Sequence, residues 1–228
     1  MTSATDAPGW AGLQAAWRQA YSPLGLLNAG ALALPVLYGG FVVSVAVPAI
    51  LVTTFCAWTY FLAVVRWRLT GHNELPMPSR VLEDIRGSMA VLGTLLASLI
   101  AILPAGLAAG YPEVPLPWWP LALLALVWLP IPLVTGAAST NQLAPLFPLR
   151  TLGAVSRDIF GYFFMAIGAT VQLLIAGVLT WLLGRWLVLF PGVGPWLTCV
   201  AFLPALWAIA SLIGLWGRAH LSELSVEH

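Results

Sequence analysis

The arginines are the side chains in this sequence with the clearest capacity to bind a ligand or partner. The chain has nine basic and eight acidic residues, and every basic residue is Arg. Arginines at a membrane interface commonly contact anionic lipid headgroups. Six of them lie in or beside polar connectors and are candidate contacts for a docking partner or for anionic lipid: Arg66, Arg68, Arg80, Arg86, Arg150 and Arg157.

Other groups that could do chemistry are dispersed along the chain. The three histidines have no Cys, Asp or Glu at metal-ligand spacing: His72, His220 and His228. Glu83 and Asp84 are adjacent, but neighbours on a helix point about 100° apart. We therefore expect no catalytic residues, no metal site, no cofactor and no enzymatic activity.

The elements that carry these residues are apolar helices. The composition is 61% hydrophobic and the mean hydropathy is +0.94, so the bilayer is the solvent to consider. Every backbone polar group must be satisfied internally there, and helices meet that demand. The sequence predicts an all-α, polytopic transmembrane bundle of about six spans, at 24–43, 47–66, 87–110, 118–138, 159–183 and 196–216.

The first two spans are the least clearly separated. From Leu24 to Val65 there is no charged residue, and as one helix this stretch would be about 63 Å long, twice the hydrocarbon thickness. Two spans fit that length better than one. The alternative is a single broken span, which would place the N-terminus on the opposite side.

Three regions follow from this division: an N-terminal segment 1–23, a six-span domain 24–217 and a tail 218–228. Trp10, Leu13 and Trp17 recur on one face of a short helix, which we expect to lie at the membrane interface. A second short helix is predicted from Ser79 to Arg86 in the longest polar connector, which we expect to be aqueous.

The arginines also give an orientation. With six spans, eight of them share one side and only Arg185 lies on the other. The positive-inside rule makes the first side cytoplasmic, with both termini there. We expect a multi-pass protein of a plasma membrane.

Two predicted spans carry stripes suited to close helix packing, because small side chains let helices approach in lipid. One stripe contains Gly93, Ala97, Ala101 and Ala105, and the other contains Gly168, Gln172 and Ala176. An amide at the depth of Gln172 needs a partner. An interhelical hydrogen bond is the favoured interpretation, and a polar lining for a transport pathway is the alternative.

The loop Gly71-His72-Asn73-Glu74-Leu75-Pro76, following Arg66-Trp67-Arg68, resembles a loop in an uncharacterised family of prokaryotic polytopic membrane domains. In that family a basic segment, Gly, polar residues and Leu-Pro precede a short amphipathic helix and the next span. The second basic connector, Pro145 to Arg150, is similar too. The resemblance covers about 24–220 and implies a prokaryotic inner-membrane location but no activity.

Three functions remain open. The leading hypothesis is a non-enzymatic scaffold or accessory subunit that packs against partner spans through the two stripes and docks through its arginine-bearing loops. The second is a permease-type transporter subunit working with a separate ATPase, and the third is a lipid-acting enzyme. Expected partners are membrane lipids, a second copy of the chain or a partner subunit. Nucleic acid is excluded because the net charge is +1 and no basic stripe occurs.

Overall fold

The computed structural model describes residues 10–83, 85–110, 117–139, 143–187 and 189–220, and this part of the chain contains helices and connectors but no strand. The helices in chain order are α1 (Trp10–Ala20), α2 (Pro23–Leu32), α3 (Leu34–Phe41), α4 (Val43–Leu69), α5 (Pro78–Glu83), α6 (Ile85–Gly110), α7 (Trp118–Trp128), α8 (Pro130–Ala138), α9 (Leu149–Arg157), α10 (Ile159–Leu187) and α11 (Val193–Ala219). The predicted all-α architecture is confirmed.

Five helical segments of the described chain are long and apolar enough to cross a membrane: Ser44–Leu69, Val91–Gly110, Trp118–Ala138, Ile159–Leu187 and Val193–Ala219. The pair α2 and α3 passes the same test together, with a bend of 43° between them. The described residues therefore form a polytopic helix bundle with five spans, or six if the bent pair counts as one.

Proline explains where α2 and α8 meet their neighbouring helices. Pro35 stands at the second position of α3. Because its backbone nitrogen carries no hydrogen, it cannot donate a hydrogen bond to the preceding turn, and α2 ends at Leu32. Pro130 opens α8 in the same way, but Leu129 between α7 and α8 keeps helical dihedral angles, and Trp118–Ala138 still counts as one helical segment.

A single extended residue, Val42, joins α3 to α4. Glycine permits so short a turn, because a Cβ on Gly39 would lie 2.8 Å from the Cβ of Ala49. Gly40 lies directly against Gly192, which has a φ of +76° and precedes α11. The turn between α3 and α4 therefore packs against the loop between α10 and α11.

Helix α11 is the centre of the bundle and packs against α10, α4, α1, α2 and α8. The ring of Trp207 is fully buried and lies 4.8 Å from the ring of Tyr60 on α4. Near the end of α11, a Cβ on Gly217 would lie 2.6 Å from Leu69. Small residues thus allow α4 and α11 to approach closely.

Helix α1 is present where a short N-terminal helix was predicted, and it packs against α11. Ala16 and Ala20 are buried, Leu13 and Trp17 are partly buried against the core, and Trp10 is exposed. The buried face is therefore rotated from the predicted Trp10 face. This packing brings the last turn of α1 beside the end of α4.

Candidate functional site: the arginine-bearing end of the bundle

The small-residue stripe of α6 is covered within the chain. Gly93, Ala97 and Ala105 are buried and Ala101 is half-buried, on a helix that packs against α7 and α8. The close contact of Thr94 with Gly136 shows how near α6 and α8 come. The stripe therefore packs against other helices of the same chain, and its packing against a partner span stays a prediction.

The second stripe is covered in the same way, on the side of α10 that packs against α11. A Cβ on Gly168 would lie 3.3 Å from Leu212, and Ala176 is buried. Gln172 is only 4% exposed, yet neither of its amide atoms has a hydrogen-bond partner in the described part of the chain. The expected interhelical hydrogen bond is therefore not formed there.

The six candidate arginines occupy different environments. Arg150 and Arg157 are exposed on α9, Arg66 is half-buried and Arg68 is buried. The backbones of Arg80 and Arg86 belong to α5 and α6, but their side chains lie outside the described part of the structure. The arginines therefore do not form a uniform docking surface.

Arg68 differs most from expectation, because only 5% of it is exposed. Its Nε donates to the Ser211 hydroxyl at 3.4 Å, its Nη1 donates to the His72 carbonyl at 3.3 Å, and its Nη2 donates to Gln19 Oε1. Gln19 in turn donates to the carbonyl of Asn73. Arg68 thus ties α1, α4, α11 and the loop after α4 together, and the prediction that it contacts an external partner is wrong.

The connector after α4 folds back along that helix. The Tyr60 hydroxyl donates to the Pro76 carbonyl at 2.6 Å and accepts from Asn28 at 2.8 Å. Leu75 and Pro76 are buried, whereas residues 72–74 are exposed. The connector was predicted to be an aqueous loop throughout, but its Leu75 and Pro76 are packed into the bundle.

A second polar cluster joins the start of α10 to the end of α11. Asp158 caps α10 by accepting from the Gly161 amide at 3.0 Å, and its other oxygen accepts from Trp216 Nε1 at 3.2 Å. His220 Nε2 lies 3.5 Å from the same oxygen, and its Nδ1 bonds the Trp216 carbonyl. Sequence reasoning missed this cluster, although an Asp directly before an apolar run is a helix N-cap signal.

The second basic connector ends in α9, an amphipathic helix on the surface of the bundle. Its inner side is fixed by Thr151, which is fully buried and shares a hydrogen bond of 2.7 Å with Thr135 on α8. Beside its exposed arginines, Phe147 is 73% exposed and Leu149 is 75% exposed. The surface therefore combines large apolar side chains with positive charge on a firmly attached helix.

Within the described residues, no group of three or more His, Cys, Asp or Glu side chains is placed to hold a metal ion. Comparison of the chain with protein-family models, with curated proteins and with solved structures gave no match in any of the three.

Proposed function

We propose that this integral membrane protein is a non-enzymatic accessory or scaffold subunit that docks a partner chain through α9 and the turn before it. The observation that carries the proposal is the pairing of Phe147 and Leu149, both about three-quarters exposed, with the exposed Arg150 and Arg157. Aromatic residues and arginine are enriched at the centres of protein interfaces, where they contribute much of the binding energy.

The attachment of α9 supports this role. Thr151 and Ala154 are buried against the bundle, so the exposed side chains are presented on a rigid element. A preorganised surface loses less conformational entropy on binding than a flexible loop does. We further propose that this end faces the cytoplasm of a prokaryotic cell, since the arginine distribution follows the positive-inside rule.

The test is site-specific photocrosslinking in the native membrane. A photoreactive residue at Leu149 should give one discrete, saturable protein adduct, and the double variant Arg150→Glu, Arg157→Glu should abolish it. The same probe at Leu174, an exposed position in the span α10, is the matched control and should label lipid only. Lipid adducts alone at Leu149, or a protein adduct that survives the charge reversal, would contradict the proposal.

The permease-type alternative is favoured by one observation, the buried and unpartnered amide of Gln172. Unpaired polar groups in a span are uncommon, and they mark transport pathways in many membrane proteins. A partner that proves to be a stoichiometric ATPase, together with loss of transport in the variant Gln172→Leu, would favour this alternative. A partner with no nucleotide-binding activity would count against it.

A further inference from the structure

The connector of residues 70–77, between α4 and α5, folds back along α4. The His72 ring stacks on Trp67 near the end of that helix, with 4.0 Å between ring centroids. Four residues later, the Pro76 carbonyl accepts from the Tyr60 hydroxyl at 2.6 Å. Trp67 and Tyr60 are about 11 Å apart along the helix axis. The connector therefore descends from the end of α4 toward its middle.

Tyr60 lies well inside the span. The segment Ser44–Leu69 has 26 residues, so it is about 39 Å long, and about 4–5 Å projects at each end of a hydrocarbon core of about 30 Å. Tyr60 is about 14 Å from Leu69 along the axis, which places it about 9 Å inside that core. Helical side chains lean toward the N-terminus, so the Tyr60 hydroxyl lies no nearer to that surface. The Pro76 carbonyl is therefore at membrane depth.

Helix α5 begins at a similar depth. Its first residue, Pro78, lines a cavity of about 140 Å³ together with Cys56 and Thr59 of α4, and α5 packs against α4. Cys56 and Thr59 lie within about one turn of Tyr60, on the side away from the end of the span. The first turn of α5 is thus beside the middle of α4.

Helix α5 is also the returning arm of the chain. Val81, in its middle, lines a second cavity, of about 340 Å³, beside Trp67 and Thr70 at the end of α4. The axis of α5 therefore points back toward that end, where α6 begins at Ile85 before crossing the membrane as Val91–Gly110. The chain between α4 and α6 enters the membrane and leaves it on the same side.

The exposed part of this segment is polar. His72, Asn73 and Glu74 are exposed, and they lie along the descent from Trp67 to Tyr60. Irregular backbone at membrane depth occurs only where it is buried in protein or lines a water-filled cavity. An ionised carboxylate facing hydrocarbon is also costly, so exposure of Glu74 favours water over lipid on this side of the segment.

We propose that residues 71–83 form a re-entrant segment that lines a water-filled vestibule, open at the arginine-bearing end and closed near Tyr60. The closure is a buried cluster in which the Tyr60 hydroxyl accepts from Asn28 and donates to Pro76, while its ring packs on Trp207. The vestibule gives water and small hydrophilic solutes access to the interior of the bundle. The α9 surface is not part of it, so either proposal can fail without the other.

The first test is thiol labelling of the full chain in nanodiscs, with Cys56→Ala and Cys199→Ala removing the native thiols. Glu74→Cys should react with a membrane-impermeant maleimide within about tenfold of the rate of Arg150→Cys, an exposed position on α9, because a thiolate forms in water. Leu174→Cys, at an exposed position in the span α10, should react at least about 100-fold more slowly than either.

The second test measures depth with a fluorophore on the cysteine of Glu74→Cys. Lipids with a nitroxide on the acyl chain should quench it more than lipids with a nitroxide on the headgroup. Tyr60→Phe should reverse that order because it releases the Pro76 carbonyl, whereas Tyr162→Phe, whose hydroxyl bonds the Val127 carbonyl, should keep it. Absence of labelling at Glu74→Cys, stronger quenching from the headgroup in the parent chain, or the same order in both tyrosine variants would overturn the proposal.

Discussion

The clearest test of the hydrogen bonds around Arg68 is the replacement of Gln19 by Met. Gln19 accepts from the buried guanidinium of Arg68 and donates to the carbonyl of Asn73. Methionine keeps the length of the side chain and removes both hydrogen bonds. The change therefore isolates the polar link between α1 and the rest of the bundle.

The expected loss can be worked out bond by bond. A hydrogen bond to a charged group contributes about 1.5–3 kcal/mol, and the neutral bond to Asn73 adds about 0.5–1.5 kcal/mol. Because Arg68 has no carboxylate partner in the described residues, the loss of a neutral acceptor is not offset by an ion pair. Gln19→Met should lower the free energy of unfolding by about 2–4.5 kcal/mol.

Gln14→Met is the matched control, because Gln14 is an exposed residue of the same helix and should change stability by less than about 0.5 kcal/mol. The measurement is reversible unfolding in mixed micelles, followed by helical circular dichroism. In an Arg68→Met background, Gln19→Met should cost at least about 1 kcal/mol less than in the wild type. Equal losses at Gln14 and Gln19, or additive effects of Gln19 and Arg68, would refute the reasoning.

Three further predictions use the same unfolding assay. Gly217→Val should cost about 1–3 kcal/mol because its side chain would overlap Leu69, whereas Gly177→Val, at an open position, should cost nothing; similar values would contradict the tight approach of α4 and α11. Asp158→Ala should cost about 1 kcal/mol more than Asp158→Asn, because Asn retains an oxygen to cap α10, and equal effects would exclude the cap as the cause. Gly192→Ala should destabilise by about 1–2 kcal/mol because of its positive φ; an unchanged stability would show that the loop adapts.

Hydrophobic runs and prolines predicted the spans well where charge or proline marks their ends. The third to sixth predicted spans correspond to α6, α7 with α8, α10 and α11, with end points that differ by a few residues. The turn between the first two predicted spans was placed between residues 43 and 47, whereas the chain turns at Val42. The close packing of Gly39 on Ala49 decides that position, and such a contact between two helices is not a property of either segment alone.

The roles of individual side chains were harder to predict. A helix that is apolar on all sides has no periodicity to say which face is buried. Arg66 and Arg68 look equivalent in sequence, yet Arg66 lines a cavity and Arg68 is enclosed. Side chains two positions apart on a helix point about 200° apart, so they face different surroundings. The partners of Arg68 come from positions 19, 72 and 211, and only the fold brings them together.

Counting charges therefore predicts the side of the membrane but not what each charge does. Arg68 is too buried to meet a ligand and is surrounded by neutral acceptors, so its effect is on stability. Arg66 is half-buried and bonds the Ala137 carbonyl, whereas Arg150 is exposed on α9. If these environments determine function, substitution of Arg68 should reduce stability, and substitution of Arg150 should reduce partner capture. A single variant that produced both losses would show instead that this end of the bundle acts as one unit.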